Sequence, residues 1–282
     1  MAPSVCLYTI LFTLDNVPCH KNKYIDIFIT WFTFLIKSKS LNENDVVLII
    51  IDKYTLQYLE SIKSFIEIVN NNYYRNNIKY NIQKQPKTVM EGCMWKYNVF
   101  DTKLLNTYNK DIYFYMDIDV LINKSIKIIT DQMIPNTICI HEDKFISFDV
   151  INLPVLSYCF EGIPQNEMDI FANSNVKGLS AGHFAFYGKS IMLEIFNKII
   201  EYNKVETNYE TLEQPLFNRA IYNYYLIEKK INVLYTMNSF VSNYSIPVNF
   251  DSVLIDCCGD PGNDLEHYEK VINVLLFRYL VE

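Results

Sequence analysis

The stretch DIYFYMDIDVLI, residues 111–122, carries an unbroken apolar and aromatic run, Ile112 to Met116, that stops abruptly at Asp117. A strand that is apolar at every position is covered on both faces, as in a parallel sheet sandwiched between helices. Side chains two apart on a strand point the same way, so Asp117 and Asp119 are expected to project together from its tip, with Ile118 turned aside. Ligands of open α/β sheets bind beyond the carboxyl ends of the strands. Paired carboxylate oxygens there suit Mg²⁺ or Mn²⁺, whose chemical role would be Lewis-acid stabilisation of a departing phosphate oxyanion. The plainer alternative is a pair of solvated aspartates that start a turn. Two like charges at the end of a buried strand are nevertheless costly unless a cation or a wet cleft receives them.

Working outward, Val5 to Thr13 reads as a buried strand and residues 24–38 as a helix with Ile25, Phe28, Phe32 and Leu35 on one face. Asp45 to Ile51 is a second strand, which makes a βαβ start. A helix is expected over Thr55 to Val69, and the polar, Asn-rich residues 70–85 suggest no element. Further strands are expected at 137–140 and 183–188, joined by a loop-rich section with Pro154 and Pro164. Helical spacing recurs through Met192, Ile195, Phe196 and Ile199, through Leu212, Leu216, Phe217, Ala220 and Ile221, and through Tyr268, Val271, Ile272 and Leu275. CCGDPGND, residues 257–264, is a turn signal. Without repeats, Gly/Ser linkers or a break in composition, one α/β domain over residues 1–282 is expected.

Half of the 282 residues are hydrophobic and 20% are charged, which excludes a disordered chain. The formal charge of −7 provides no whole-molecule field for nucleic acid or anionic lipid. Seven cysteines, odd in number and without a C-x-x-C pair, suggest reduced thiols in a cytosol-like compartment. SVCLYTILFTL lacks the basic leader of an export signal, and it and YIDIFITWFTFLIK fall short of the roughly 20 residues of a spanning helix. A cytoplasmic location is expected, in the host cytoplasm if the Asn-, Ile-, Lys- and Tyr-rich composition reflects a viral source.

MWKYNVFD (94–101), YNKDIYFYMDIDVLI (108–122), LSAGHFAFYGKS (179–190), LEQPLFN (212–218) and DCCGDPGND (256–264) follow one another in an order that resembles a known family. It is that of the nucleotide-sugar-dependent glycosyltransferases of the GT-A fold, in particular the glycogenin and galactinol-synthase-like group, glycosyltransferase family 8. The resemblance implies a mixed, mostly parallel sheet flanked by helices, with residues 1–120 as the nucleotide-binding half and 121–282 as the donor-sugar and acceptor half. It implies a Mn²⁺- or Mg²⁺-dependent transferase that takes a UDP-sugar and delivers the sugar, with retention, to a glycan, lipid or protein hydroxyl. Asp117 and Asp119 would hold the ion, and Asp256 stands where the family has a histidine ligand. The family's diphosphate-binding lysine falls on Gly262, with His267 and Lys270 as the nearest replacements. Ala181 and Gly182 would pass close to the donor sugar, Glu213 and Gln214 would lie by the sugar and the reacting carbon, and Lys96 would neutralise the diphosphate. Tyr8 and Thr9 would lie where the uracil rests.

Plainer readings accompany several of these. A lone lysine is commonly solvated, and Gln214 also suits a helix start with Thr211 as cap and Pro215 in the first turn. His141, Glu142 and Asp143 offer a general base but equally a solvated loop, and His183, in an apolar strand, reads as a core histidine. Cys19 and His20 complete no nucleophile–base set, and no G-x-S-x-G, Walker loop or G-x-G-x-x-G occurs. A sugar-phosphate nucleotidyltransferase is a second possibility, opposed by the glycine-free segment after the first strand; a degenerate transferase that binds nucleotide or glycan without turnover is a third.

Overall fold

The computed structural model describes residues 2–70, 75–147, 159–205, 212–234, 236–244, 248–258 and 263–281. Its strands are β1 (Val5–Leu11), β2 (Val46–Asp52), β3 (Ile78–Gln83), β4 (Ile112–Met116), β5 (Val120–Ile122), β6 (Thr137–Ser147), β7 (Lys177–Tyr187), β8 (Asn232–Leu234), β9 (Val241–Asn243) and β10 (Leu254–Asp256). Seven form one sheet in the order β3-β2-β1-β4-β7-β6-β8, and β5-β10-β9 form a smaller one. β3, β2, β1 and β4 run parallel, β7 is antiparallel to β4 and β6, and β8 is parallel to β6. The expected mixed, mostly parallel architecture is therefore present.

Every residue of β1, β2 and β4 is buried, and the twofold alternation sorts them between two cores. Val5, Leu7, Leu11, Val47, Ile49, Phe114 and Met116 join Phe28, Trp31 and Phe32 of the helix Tyr24–Lys37 on one side. Cys6, Tyr8, Ile10, Leu48, Tyr113 and Tyr115 join Trp95, Tyr97, Phe196 and Phe217 on the other. Helices Trp95–Asn98, Lys189–Val205 and Gln214–Tyr222 cover this second side.

Four expectations change. The helix over 55–69 is two helices, Lys53–Leu59 and Lys63–Asn70, and it begins early because Asp52 accepts the Thr55 N–H at 2.8 Å as an N-cap. β3 lies inside the Asn-rich stretch; as an edge strand it buries little more than Ile78, so its sequence never turns apolar. β6 and β7 extend well beyond 137–140 and 183–188, so that Ala181 and Gly182 are strand residues. β10 is too short for a periodic signal. Pro154, Thr211 and Gly262 lie outside the described residues, as does the side chain of Asp143. Among the described residues no helix is long and apolar enough to cross a membrane.

Candidate active site

β4 ends at Met116, one residue before the acidic pair. Asp117 to Val120 is a turn, closed by the Val120 N–H donating to the Asp117 carbonyl at 3.1 Å, and it leads directly into β5. Strand alternation consequently does not apply to the two carboxylates, which correct the expectation by pointing to different neighbours. Asp117 accepts a short hydrogen bond from the Tyr115 hydroxyl. Asp119 lies 3.1 Å from His267 Nδ1, and that nitrogen is also 2.9 Å from the Tyr24 hydroxyl.

Backbone pairing brings a third carboxylate alongside. β5 and β10 are antiparallel with Asp256 opposite Val120, and the Cys257 N–H donates to the Asp119 carbonyl at 2.9 Å. Asp119 and Asp256 are only 7% and 6% exposed, whereas Asp117 keeps part of its surface open. Loss of water raises the Asp117 carboxyl to about 6, opposed by the nearby Lys96 charge and the Tyr115 hydroxyl. Asp119 is pushed well above the usual carboxylate range by burial first, then by the charges of Asp117 and Asp256. The Cys258 N–H donates to Asp256 Oδ1 at 2.9 Å and steadies it.

β7 forms the adjoining wall. The Asp117 N–H donates to the Gly182 carbonyl at 2.7 Å. A Cβ at Gly182 would stand 3.0 Å from Asp117 Oδ2, tighter than ordinary contact, so any larger residue there displaces the carboxylate by a few tenths of an ångström. Behind the wall, Lys96 is 2% exposed, pairs with Glu213 Oε1 at 2.5 Å and donates to the Ala181 carbonyl at 3.0 Å. Its ammonium also sits 4.6 Å from the centre of the Tyr115 ring. Burial alone would pull Lys96 down, but the charges of Glu213 and Asp117 carry it above the ordinary lysine range.

Glu213 precedes the helix Gln214–Tyr222, and Leu212 before it adopts a left-handed φ of 56°. That conformation is unfavourable for a leucine and directs the chain so that Glu213 meets Lys96. Gln214 Nε2 donates to Cys159 Sγ at 3.0 Å and to the Leu179 carbonyl at 3.3 Å. Asn218 fastens the same helix to β7 by accepting the Leu179 N–H at 2.8 Å and donating to its carbonyl at 3.0 Å.

The sequence candidates thus divide. Asp117, Asp119, Asp256, Ala181, Gly182, Lys96 and Glu213 converge around the β4–β5 turn, with Gln214 on the next residue. Lys96, however, is an internal counter-ion and not an exposed phosphate ligand. His267 reaches Asp119, and Lys270 donates to the Cys258 carbonyl at 2.8 Å while pairing with Glu266 at 2.6 Å, so neither stands as a simple substitute for a loop lysine. Tyr8 and Thr9 are fully buried in mid-strand, with the Tyr8 ring against Phe100 and Tyr115 at 4.7 and 5.1 Å. A base cannot rest on side chains enclosed in this way. Glu142 is tied to Lys177 and Asn238 at 3.1 and 3.0 Å, Cys19 is buried, and His20 is exposed on a short 3-10 turn. Sequence reasoning missed Tyr115 and Tyr24; for Tyr115 the signal was its position two residues before Asp117. His183 is the core histidine that was expected, fully buried, with its Nδ1 3.9 Å from Asp256 Oδ2, and burial pushes the imidazole down to about 4.

Asp117, Asp119 and Asp256 carry the oxygen donors that a divalent cation takes, and their charges repel one another. Among the described residues no three or more His, Cys, Asp or Glu side chains are arranged so as to hold a metal ion.

No protein-family description and no curated protein matches this chain. Among solved structures it is similar to the apo form of WbbM, described as a bifunctional glycosyltransferase, with a TM-score of 0.58, 11% identity, and 97% of this chain and 50% of that one covered. The chain therefore spans about half the length of WbbM. It is also similar to an active-site mutant of LgtC, with a TM-score of 0.53, 13% identity and 95% of each chain covered. At these identities the likeness shows the fold: a GT-A-type mixed α/β domain, with the acidic turn at the carboxyl end of its central strand.

Proposed function

We propose that this chain is a metal-dependent glycosyltransferase that moves a sugar from a UDP-sugar to a hydroxyl group on a glycan, lipid or protein, with retention of anomeric configuration. The observation that carries the reading is the set of crowded carboxylates at the carboxyl end of β4, where burial and mutual repulsion push Asp117 and Asp119 toward their neutral forms. Such crowding is relieved by a cation, on a fold shared with a described glycosyltransferase.

Asp119 and Asp256 would hold Mn²⁺ or Mg²⁺, with Asp117 completing the acidic face. When bound, the ion supplies Lewis-acid stabilisation of the leaving diphosphate. The rest is done by the chain. The β5–β10 ladder fixes the spacing of Asp119 and Asp256. Gly182 admits the Asp117 carboxylate. The Lys96–Glu213 pair and the Lys96 bond to the Ala181 carbonyl stiffen the wall on which the donor sugar would lie, so that little reorganisation is required during reaction. Gln214, held by Leu179 and Cys159, places its amide at the end of that wall.

Release of UDP from a panel of UDP-sugars, with Mn²⁺ or in excess chelator, tests the reading. Metal-dependent release that Asp119→Asn abolishes is expected. Turnover unaffected by chelator contradicts the metal role, and binding of UDP and Mn²⁺ without product for any donor supports a binding protein that has lost transfer.

A further inference from the structure

Away from the acidic turn, the carboxyl edge of the large sheet carries an open groove of about 600 Å³. It is lined by Lys53, Tyr54 and Gln57 of the helix Lys53–Leu59 and by Ile82, Gln83, Lys84 and Gln85 at the end of β3. Ligand sites typically enclose about 300–1,000 Å³. Two large apolar side chains lie exposed there, Tyr54 at 48% and Ile82 at 57%. The other lining groups are two ammonium ions and three primary amides, with no carboxylate among them. Asp52, next to Lys53 in sequence, is fully buried and accepts hydrogen bonds from the Thr13 and Thr55 N–H groups and the Thr55 hydroxyl, so its charge is directed inward.

Lys53, Tyr54, Gln57 and Lys84 make no side-chain hydrogen bond or ion pair among the described residues. Gln83 donates to Asn81 Oδ1 and Gln85 to the Leu14 carbonyl at 3.3 Å, which fixes both amides and leaves their oxygens for a ligand. In a chain of net charge −7, a lining with two lysines and no acid selects an anion. The amides, which both donate and accept, match hydroxyl groups. The Tyr54 ring offers a negative face on which the polarised C–H bonds of a sugar ring can pack. A bare phosphate would leave Tyr54 and the amides unused, and an uncharged sugar would leave the lysines unused.

We propose that this groove binds an acidic oligosaccharide, with Tyr54 as the stacking platform, Gln57, Gln83 and Gln85 reading its hydroxyls, and Lys53 and Lys84 meeting its carboxylate or phosphate groups. Tyr115, Tyr8, Leu48 and Lys79 lie in one line across β4, β1, β2 and β3. With three strand spacings of about 4.8 Å across and two residues of about 3.3 Å along, Gln83 stands roughly 16 Å from Asp117. A single sugar ring does not span that separation, so the groove holds a remote part of a longer chain. Resting on the transferase reading above, that chain is the acceptor.

The experiment is calorimetric titration of the full chain, in excess chelator and without UDP, with tetragalacturonate, a phosphorylated mannotetraose, uncharged maltotetraose and inorganic phosphate. Spectra of the ¹⁵N-labelled glutamine side-chain amides are recorded alongside. One or both acidic tetrasaccharides should bind at least about 10-fold tighter than maltotetraose or phosphate and shift the amides of Gln57, Gln83 and Gln85, the tighter of the two naming the anion. Tyr54→Ala should weaken binding about 3- to 10-fold. Lys53→Gln combined with Lys84→Gln should weaken it about 5- to 20-fold, and added salt should weaken it further in the parent. Lys53, Tyr54 and Lys84 are exposed, so these variants keep the fold. Maltotetraose or phosphate bound as tightly as the acidic tetrasaccharides, no binding of any of the four, or an affinity unmoved by the substitutions overturns the assignment. Metal and donor are absent from the titration, so a groove that binds nothing leaves the transferase reading intact, and failure to release UDP from any donor leaves the groove's binding standing.

Discussion

Replacing Lys96 by methionine keeps most of the volume of the aliphatic stem and removes the ammonium group, with its charge and its hydrogen bond to the Ala181 carbonyl, so the effect can be worked mainly from electrostatics. The ammonium is 2% exposed, 2.5 Å from Glu213 Oε1 and 3.0 Å from the Ala181 carbonyl. Glu213 is itself 5% exposed, and its charge would be left buried in the same pocket as Asp117. Removing one partner of a buried pair typically costs about 3–5 kcal/mol, because the survivor stays desolvated and unpaired. Against a folding free energy of about 5–15 kcal/mol that is a large fraction. With an m-value near 3 kcal/mol/M, the urea midpoint should fall by about 1–1.7 M. Glu213→Leu in the Lys96→Met background removes the orphaned charge and should recover most of the loss. Urea unfolding of the two single variants, the double variant and the parent closes the cycle. A midpoint within about 0.3 M of the parent for Lys96→Met, or single effects that simply add in the double variant, would refute a buried ion pair at the heart of this wall.

Gly182→Ala places a Cβ 3.0 Å from Asp117 Oδ2; the protein should stay folded by circular dichroism while Mn²⁺ affinity drops about tenfold, the range typical when a ligand's support is disturbed. Asp117 has a folded value of about 6 against an ordinary 3.8, so its neutral form is the one the fold favours. Its contribution is fully present below pH 3.8 and is lost as pH rises through about 6. In chelator, the melting temperature of the parent should therefore fall relative to Asp117→Asn between these limits, and a parent that gains on the variant with rising pH would contradict the burial argument. Asn218→Leu removes the side-chain partner of the buried Leu179 N–H and leaves the Leu179 carbonyl with the 3.3 Å bond from Gln214; a loss of about 1–3 kcal/mol, or roughly 3–10 °C in melting temperature, is expected by calorimetry.

How much of this could be read from the residues depends on the range of the physics involved. β1, β2 and β4 were legible because two-sided burial demands a continuous apolar run, and the helix Tyr24–Lys37 because its buried face recurs at helical spacing. β3 was not, since an edge strand beside solvent tolerates the Lys79, Asn81 and Gln83 that disguise it. The acidic pair was found, but its geometry was misread: β4 stops at Met116, and a turn, not strand alternation, aims Asp117 and Asp119. Asp256 was reached only through the family resemblance, because β10 has three residues and no period of its own. Lys96 and Tyr8 failed for a shared reason. Whether a lysine meets water or a glutamate, and whether a tyrosine lines a cleft or a core, is decided by elements distant in sequence: Glu213 in one case, Phe100 and Tyr115 in the other.

The most direct measurement is an anomalous difference map, recorded near the manganese absorption edge, from crystals of the protein grown with MnCl₂ and UDP. A single strong peak bounded by Asp119 and Asp256, with the diphosphate against it, is the predicted result. UDP bound elsewhere, or a map featureless between these two carboxylates, would contradict the account.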